Sequence, residues 1–145
     1  MFERILVVCT GNICRSPVAE ALLRQRLPER HISSAGLGAL EGEPVSPFAR
    51  QLAEADGLDV ANHKARQLTV TMIQEADLIL VMSEGQRRAV GQQVPQALGK
   101  TLLLGRWLDS SKGRNIPDPY RKSMEVFEHI HSLLKDATLT WAEKL

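Results

Sequence analysis

An open α/β sheet with helices on both faces is the fold class the sequence predicts, and three observations predict it. Short apolar runs rich in β-branched residues alternate with helical segments along the whole chain. The runs are apolar at consecutive positions, as strands covered on both faces by helices require. Right-handed crossovers then leave few other arrangements for such an alternation.

Taken in order, Ile5-Leu-Val-Val-Cys9 reads as a buried first strand. Ser16-Pro17 then reads as an N-cap with proline at N1, opening a helix through about Arg26 with Val18, Leu22 and Leu23 on its apolar face. A short second strand fits His31 to Ala35. Ser46-Pro47 repeats the cap-and-proline signature, and Gly57 is a helix stop. A short helix over Thr71 to Glu75 precedes the clearest strand, Leu78 to Met82. Another helix covers Glu84 to Val90, before a strand at Thr101 to Leu104. Residues 105–121 hold Gly, Pro, Asn and Asp and read as a long loop. The last helix runs from about Ser123 to Glu143, with Met124, Phe127, Ile130, Leu134, Ala137 and Trp141 at helical spacing.

Length and composition narrow the function. A chain of 145 residues without repeats or composition breaks is expected to form one domain, 1–145, around one core. A formal charge of +1 gives no electrostatic reason to expect nucleic acid or a membrane surface as partner. The longest apolar runs are too short to insert into a bilayer, and no export signal is visible. The expected location is therefore cytoplasmic, where thiols stay reduced, and any special role of the two cysteines, Cys9 and Cys14, is expected to be chemical.

Both cysteines lie in the first β-to-α turn, where open α/β sheets bind their ligands. The turn reads Cys9-Thr-Gly-Asn-Ile-Cys-Arg15-Ser16, a Cys-x5-Arg pattern running into a helix start. Successive backbone N–H groups around such a loop, Thr10 to Ser16, form an anion nest, and the helix start adds partial positive charge. Gly11 permits a left-handed backbone or close approach by a ligand, and Asn12 tolerates the same region. Arg15 offers a planar fork that pairs two oxygens of a phosphate. Cys9, at the entrance, feels that positive potential, which favours a nucleophilic thiolate. A core cysteine beside a surface arginine is the plain alternative. The context of strand, Gly-Asn and Ser-Pro favours the anion site. The Gly-Lys-Thr at residues 99–101 lacks the earlier glycine of a nucleotide P-loop and precedes a strand.

With these residues in view, the sequence resembles the low-molecular-weight protein tyrosine phosphatases. The likeness spans essentially the whole chain and is carried by "VCTGNICRSPVAE", "SSAG" at 33–36, "HKARQLT" at 63–69 and "DPY" at 118–120. It implies a four-stranded parallel sheet in a three-layer, Rossmann-like sandwich, with no cofactor and no metal. It implies that Cys9 is the nucleophile, that Arg15 and the loop amides hold the phosphoryl group, and that Asp118 is the general acid and then base. Read without the family, Asp118 could equally be a turn residue, since Asp-Pro starts turns.

By the same resemblance, Ser16 bonds the thiolate as well as capping the helix. Asn12, Ser34 and His63 match a network that keeps the loop in shape. As bare residues, Ser34 could be a turn residue and His63 a surface histidine. Tyr120 matches an aromatic wall of the cleft, or else a half-buried core tyrosine. Cys14 matches a redox partner for Cys9 and is also a small filler under the loop. Leu40 stands where eukaryotic relatives carry an aromatic wall, Arg121 where many carry a second tyrosine, and Ser83 where mammalian members commonly have aspartate. The first two features resemble bacterial members paired with autophosphorylating tyrosine kinases that control capsule or exopolysaccharide export. The expected partner is thus a phosphotyrosine protein, the tyrosine-rich cytoplasmic tail of such a kinase.

Competing functions meet specific obstacles. Thioredoxin-coupled arsenate reductases of this fold need further cysteines, and none follows Cys14. Protein arginine phosphatases carry threonine at the position of Ile13 and phenylalanine at that of Tyr120. A phosphotyrosine-binding module without turnover is expected to lack the nucleophile or the acid, and this chain has both. His129 and His131, at i and i+2 on the last helix, point to different sides and read as solvent-facing or core histidines rather than metal ligands.

Overall fold

The computed structural model describes residues 2–145. Four parallel strands, β1 (Arg4–Cys9), β2 (His31–Gly36), β3 (Leu78–Val81) and β4 (Thr101–Leu103), form one sheet in the order β2-β1-β3-β4. The strand residues from Ile5 to Cys9 and from Leu78 to Val81 are all buried, because helices cover both faces. Side-chain alternation sorts them. Ile5, Val7, Cys9, Leu78 and Leu80 join one apolar cluster with helices α1 (Arg15–Arg26), α2 (Pro47–Ala55) and α6 (Met124–Lys144). Leu6, Val8, Ile79 and Val81 join the opposite cluster, with α3 (Val70–Glu75) and α4 (Glu84–Gln93). Each fully buried aliphatic side chain stabilises the sheet by about 1.5–3 kcal/mol. Among the described residues no helix is long and apolar enough to cross a membrane.

The chain leaves β1 for β2 on one side and returns to β3 on the other. The switch point therefore lies between β1 and β3, and the crevice beyond their carboxyl ends is where ligands bind in such sheets. Three departures from the expected elements have local causes. Helix α1 starts at Arg15, with Cys14 at the N-cap, so Ser16 is not the cap: its hydroxyl is engaged elsewhere, and no side chain among the described residues caps this helix. Pro17 still fits the first turn, because its missing N–H would have no helical partner there. The 105–121 segment is not all loop. Short helical turns over Leu104–Trp107 and α5 (Leu108–Ser111) occupy its first part, the latter with left-handed Asp109 and Ser110. Helix α4 also runs past Val90 to Gln93, before a 3-10 turn, Pro95–Lys100.

Candidate active site

The loop after β1 is held from outside by its own carbonyl groups. Those of Cys9, Thr10, Gly11 and Ile13 accept N–H bonds from Leu37, Gly38, Leu40 and Ser46, at 2.9–3.1 Å. The Asn12 carbonyl meets His63 Nε2 at 2.7 Å. The amides of Gly11 to Cys14 take no backbone carbonyl among the described residues. With the carbonyls engaged elsewhere, these amides beside the start of α1 are a run of donors of the kind that can form an anion nest.

This geometry needs one left-handed residue, and it is Asn12, at φ 59°. Gly11 is not left-handed. A Cβ there would make only ordinary contacts, 3.6 Å to Ile13 and 3.9 Å to Leu40, so of the two residues able to take this backbone it is the asparagine that does. Fully buried Asn12 is pinned by its side chain. Nδ2 donates to Ser16 Oγ (2.7 Å) and Ser34 Oγ (3.0 Å), and Oδ1 accepts from the Arg66 amide (3.0 Å). Asparagine tolerates this backbone region better than most residues, and the buried bonds offset the remaining strain.

Cys9 Sγ lies on the loop's floor, 2.8 Å from Ser16 Oγ. Because Ser16 Oγ already accepts from Asn12, its own O–H is free to donate to the sulfur. Cys14 is chemically different. Burial pushes its thiol up to about 11, a rise the Ser46 hydroxyl at 3.2 Å only partly opposes. At neutral pH Cys14 is protonated and a poor nucleophile.

Arg15 is buried yet points into the cleft. Its Nη1 donates to the Ile116 carbonyl at 2.8 Å, its Nη2 stands 3.6 Å from Asp118 Oδ2, and its Nε has no hydrogen-bond partner among the described residues. An unpaired buried guanidinium N–H is costly unless something accepts from it, so the fork is preorganised for an anion. Asp118 is a turn residue that also lines the cleft. Oδ1 accepts the Tyr120 N–H at 3.0 Å, closing an Asx turn, while Oδ2 faces Arg15. Cys9, Thr10, Gly11, Ile13, Cys14, Arg15, Leu40, Asp118 and Tyr120 thus line one cleft of about 120 Å³. Leu40 and Tyr120 are its exposed apolar walls. A wider groove of about 660 Å³ lies behind the loop and includes Ser34, His63 and Arg66, which hold Asn12 from that side, but no cysteine.

Three supporting residues escaped the sequence reading. Arg66 holds Asn12 through its amide and the Ser34 carbonyl through Nε, at 2.9 Å. Buried Gln86 accepts from the Met82 amide (2.7 Å) and donates to Thr10 Oγ1 (3.2 Å), linking β3 to the loop. Gly36 lets the end of β2 approach the loop. A Cβ there would lie 2.4 Å from the Thr10 carbonyl oxygen. The "SSAG" and "HKARQLT" strings contained two of these three, but no local pattern distinguishes them. His131 is a buried histidine, 2.6 Å from Asp56 Oδ2 at the C-terminal end of α2, and His129 is exposed.

Fold and site together define a class: α/β enzymes with a thiol at the floor of an anion loop, the arrangement of cysteine-dependent phosphatases. The sequence profile of the family described as low molecular weight phosphotyrosine protein phosphatase matches residues 4–145. A Klebsiella pneumoniae protein named as a putative low molecular weight protein-tyrosine-phosphatase is 46% identical, covering 100% of this chain and 99% of its own length. The structure of Vibrio vulnificus Wzb in complex with benzylphosphonate superposes with a TM-score of 0.95 at 44% identity, covering both chains fully. That of the tyrosine phosphatase Wzb from Escherichia coli K30 with sulphate gives 0.94 at 45% identity, covering 99% of each. The YwlE arginine phosphatase of Geobacillus stearothermophilus shares the fold at 35% identity and a TM-score of 0.89, over 97% of this chain and 91% of its own. The chain belongs to the low molecular weight protein-tyrosine-phosphatase family.

Proposed function

We propose that this enzyme, acting as one domain, hydrolyses protein phosphotyrosine through a phosphocysteine intermediate on Cys9. One observation carries the reading: Asp118, about a hundred residues further along the chain, lines the same small cleft as Cys9 and Arg15 of the first loop. In the first step the Cys9 thiolate attacks phosphorus, forming the S–P bond. The bond from phosphorus to the tyrosine oxygen breaks, and Asp118 delivers a proton to that oxygen. Water then attacks the phosphocysteine, giving its proton to Asp118. The S–P bond breaks, inorganic phosphate leaves and the thiolate returns. Arg15 and the amides of Thr10 to Ser16 stabilise the charge on the equatorial oxygens in both steps. No metal or cofactor enters this chemistry.

Leu40 and Tyr120 are placed to flank the substrate's phenyl ring, and the benzylphosphonate complex of the Vibrio relative supports a ring-bearing phosphoryl ligand here. Buried Ile13 and cleft-lining Tyr120 favour phosphotyrosine over phosphoarginine. The natural substrate we infer is the tyrosine-rich cytoplasmic tail of an autophosphorylating bacterial tyrosine kinase that controls exopolysaccharide or capsule production, which places the enzyme in the cytoplasm. The test is phosphate release from a phosphotyrosine peptide in excess EDTA, with a phosphoarginine peptide as competitor. Turnover should vanish in Cys9→Ser and fall by about 10²- to 10⁴-fold in Asp118→Ala. Preference for phosphoarginine would overturn the substrate, and tight binding without release would overturn the enzyme reading.

A further inference from the structure

Arg121 sits at the third position of a tight turn closed by the Lys122 amide on the Pro119 carbonyl, at 2.9 Å. Its φ is 61°, where glycine is the unstrained choice. Strain beside a cleft calls for a functional account. Its guanidinium carbon lies 5.2 Å from the centroid of the Tyr120 ring, the ring that forms one wall of the cleft. A cation–π contact of this kind fixes both partners. The strained turn thus holds an exposed cation on the rim, with exposed Lys122 next in the chain. The opposite sign follows the other wall: exposed Glu41 and Glu43 lie one and three residues after Leu40. Asp118, the nearby carboxylate, already faces Arg15 at 3.6 Å and the Tyr120 amide.

We propose that Arg121 determines specificity by pairing with an acidic side chain one or two residues from the phosphotyrosine. An extended peptide advances about 3.3 Å per residue, so such a side chain passes the Tyr120 wall within reach of the guanidinium. The proposal rests on the phosphotyrosine reading above.

The test compares kcat/KM for two phosphotyrosine peptides, one with glutamate and one with alanine on both flanks, for wild type, Arg121→Gly and Arg121→Glu. Glycine suits the positive φ, so that variant removes the side chain without adding backbone strain. Wild type should prefer the glutamate peptide about two- to fivefold, as an exposed ion pair provides. The preference should lie in KM rather than kcat and should shrink as salt rises. It should fall to about one in Arg121→Gly and invert in Arg121→Glu. An unchanged preference in Arg121→Gly, or none in wild type, overturns the proposal while leaving phosphotyrosine hydrolysis standing. Failure to hydrolyse either peptide overturns the phosphotyrosine reading itself.

Discussion

Asn12→Ala should be far more damaging than an ordinary loop substitution. The side chain makes three buried hydrogen bonds, to Ser16 Oγ, Ser34 Oγ and the Arg66 amide, at 2.7, 3.0 and 3.0 Å. Each contributes about 1 kcal/mol net, so their loss costs about 3 kcal/mol. Alanine must also hold the left-handed backbone, at φ 59°, that asparagine tolerates, adding about 1 kcal/mol. About 4 kcal/mol is a large part of the 5–15 kcal/mol typical of a domain. With a urea m-value of about 2 kcal/mol/M, the unfolding midpoint should drop by about 2 M. Ser34→Ala, which removes one of the three bonds, should cost about 1 kcal/mol and so serves as the internal scale. Equilibrium urea unfolding followed by tryptophan fluorescence measures both. If Asn12→Ala moved the midpoint no more than Ser34→Ala, the loop would not depend on this network and the reasoning would fail.

Three further substitutions probe separate parts of the account. Gly36→Ala places a Cβ 2.4 Å from the Thr10 carbonyl oxygen, so it should lower stability by about 1–3 kcal/mol and weaken phosphate inhibition; an unaltered midpoint and inhibition constant would contradict it. The His131 imidazole, and after it Lys135, hold the Asp56 carboxyl below its ordinary value, so the stabilisation is present above the ordinary value and is lost as pH falls through the lowered one. Wild type should therefore exceed Asp56→Asn in urea midpoint at neutral pH, with the gap closing on acidification below about 3.9; a gap that widened in acid would refute this. Cys14 is protonated at neutral pH, so peroxide should attack Cys9 first and Cys14 should then trap it as a reversible disulfide. Cys14→Ser should recover much less activity than wild type when a thiol reductant follows brief peroxide treatment, and equal recovery would count against the trap.

What the sequence disclosed follows the range of the interactions involved. Buried strands declare themselves through runs such as Ile5 to Cys9, because burial on both faces acts residue by residue. The start of the last helix near Ser123 was legible too, and there the Ser123 hydroxyl accepts from the Val126 amide and caps α6. Ser16 shows the opposite case. A local rule reads Ser-Pro as a cap, yet the hydroxyl is claimed by Cys9 and Asn12, and the helix begins two residues earlier. Cys9, Arg15 and Asp118 were visible as chemistry-bearing residues, but their meeting depends on the Ile116 segment docking on β3 and Arg15, through the Met82 carbonyl at one end and Arg15 Nη1 at the other. Arg66, Gln86 and Gly36 were invisible for the same reason. Their contribution is a contact with a segment distant in sequence, and neither periodicity nor composition encodes it.

The phosphocysteine is the centre of this account, and trapping it is the most direct test. Asp118→Ala should be mixed rapidly with p-nitrophenyl phosphate, whose leaving group needs no acid, quenched, digested and examined by mass spectrometry. A burst of nitrophenolate equal to the enzyme concentration, with one added phosphoryl group on the peptide containing Cys9, is the expected result. Nitrophenolate release without a burst, or a phosphoryl group on any residue other than Cys9, would contradict the assignment of Cys9 as nucleophile and Asp118 as the base of the second step.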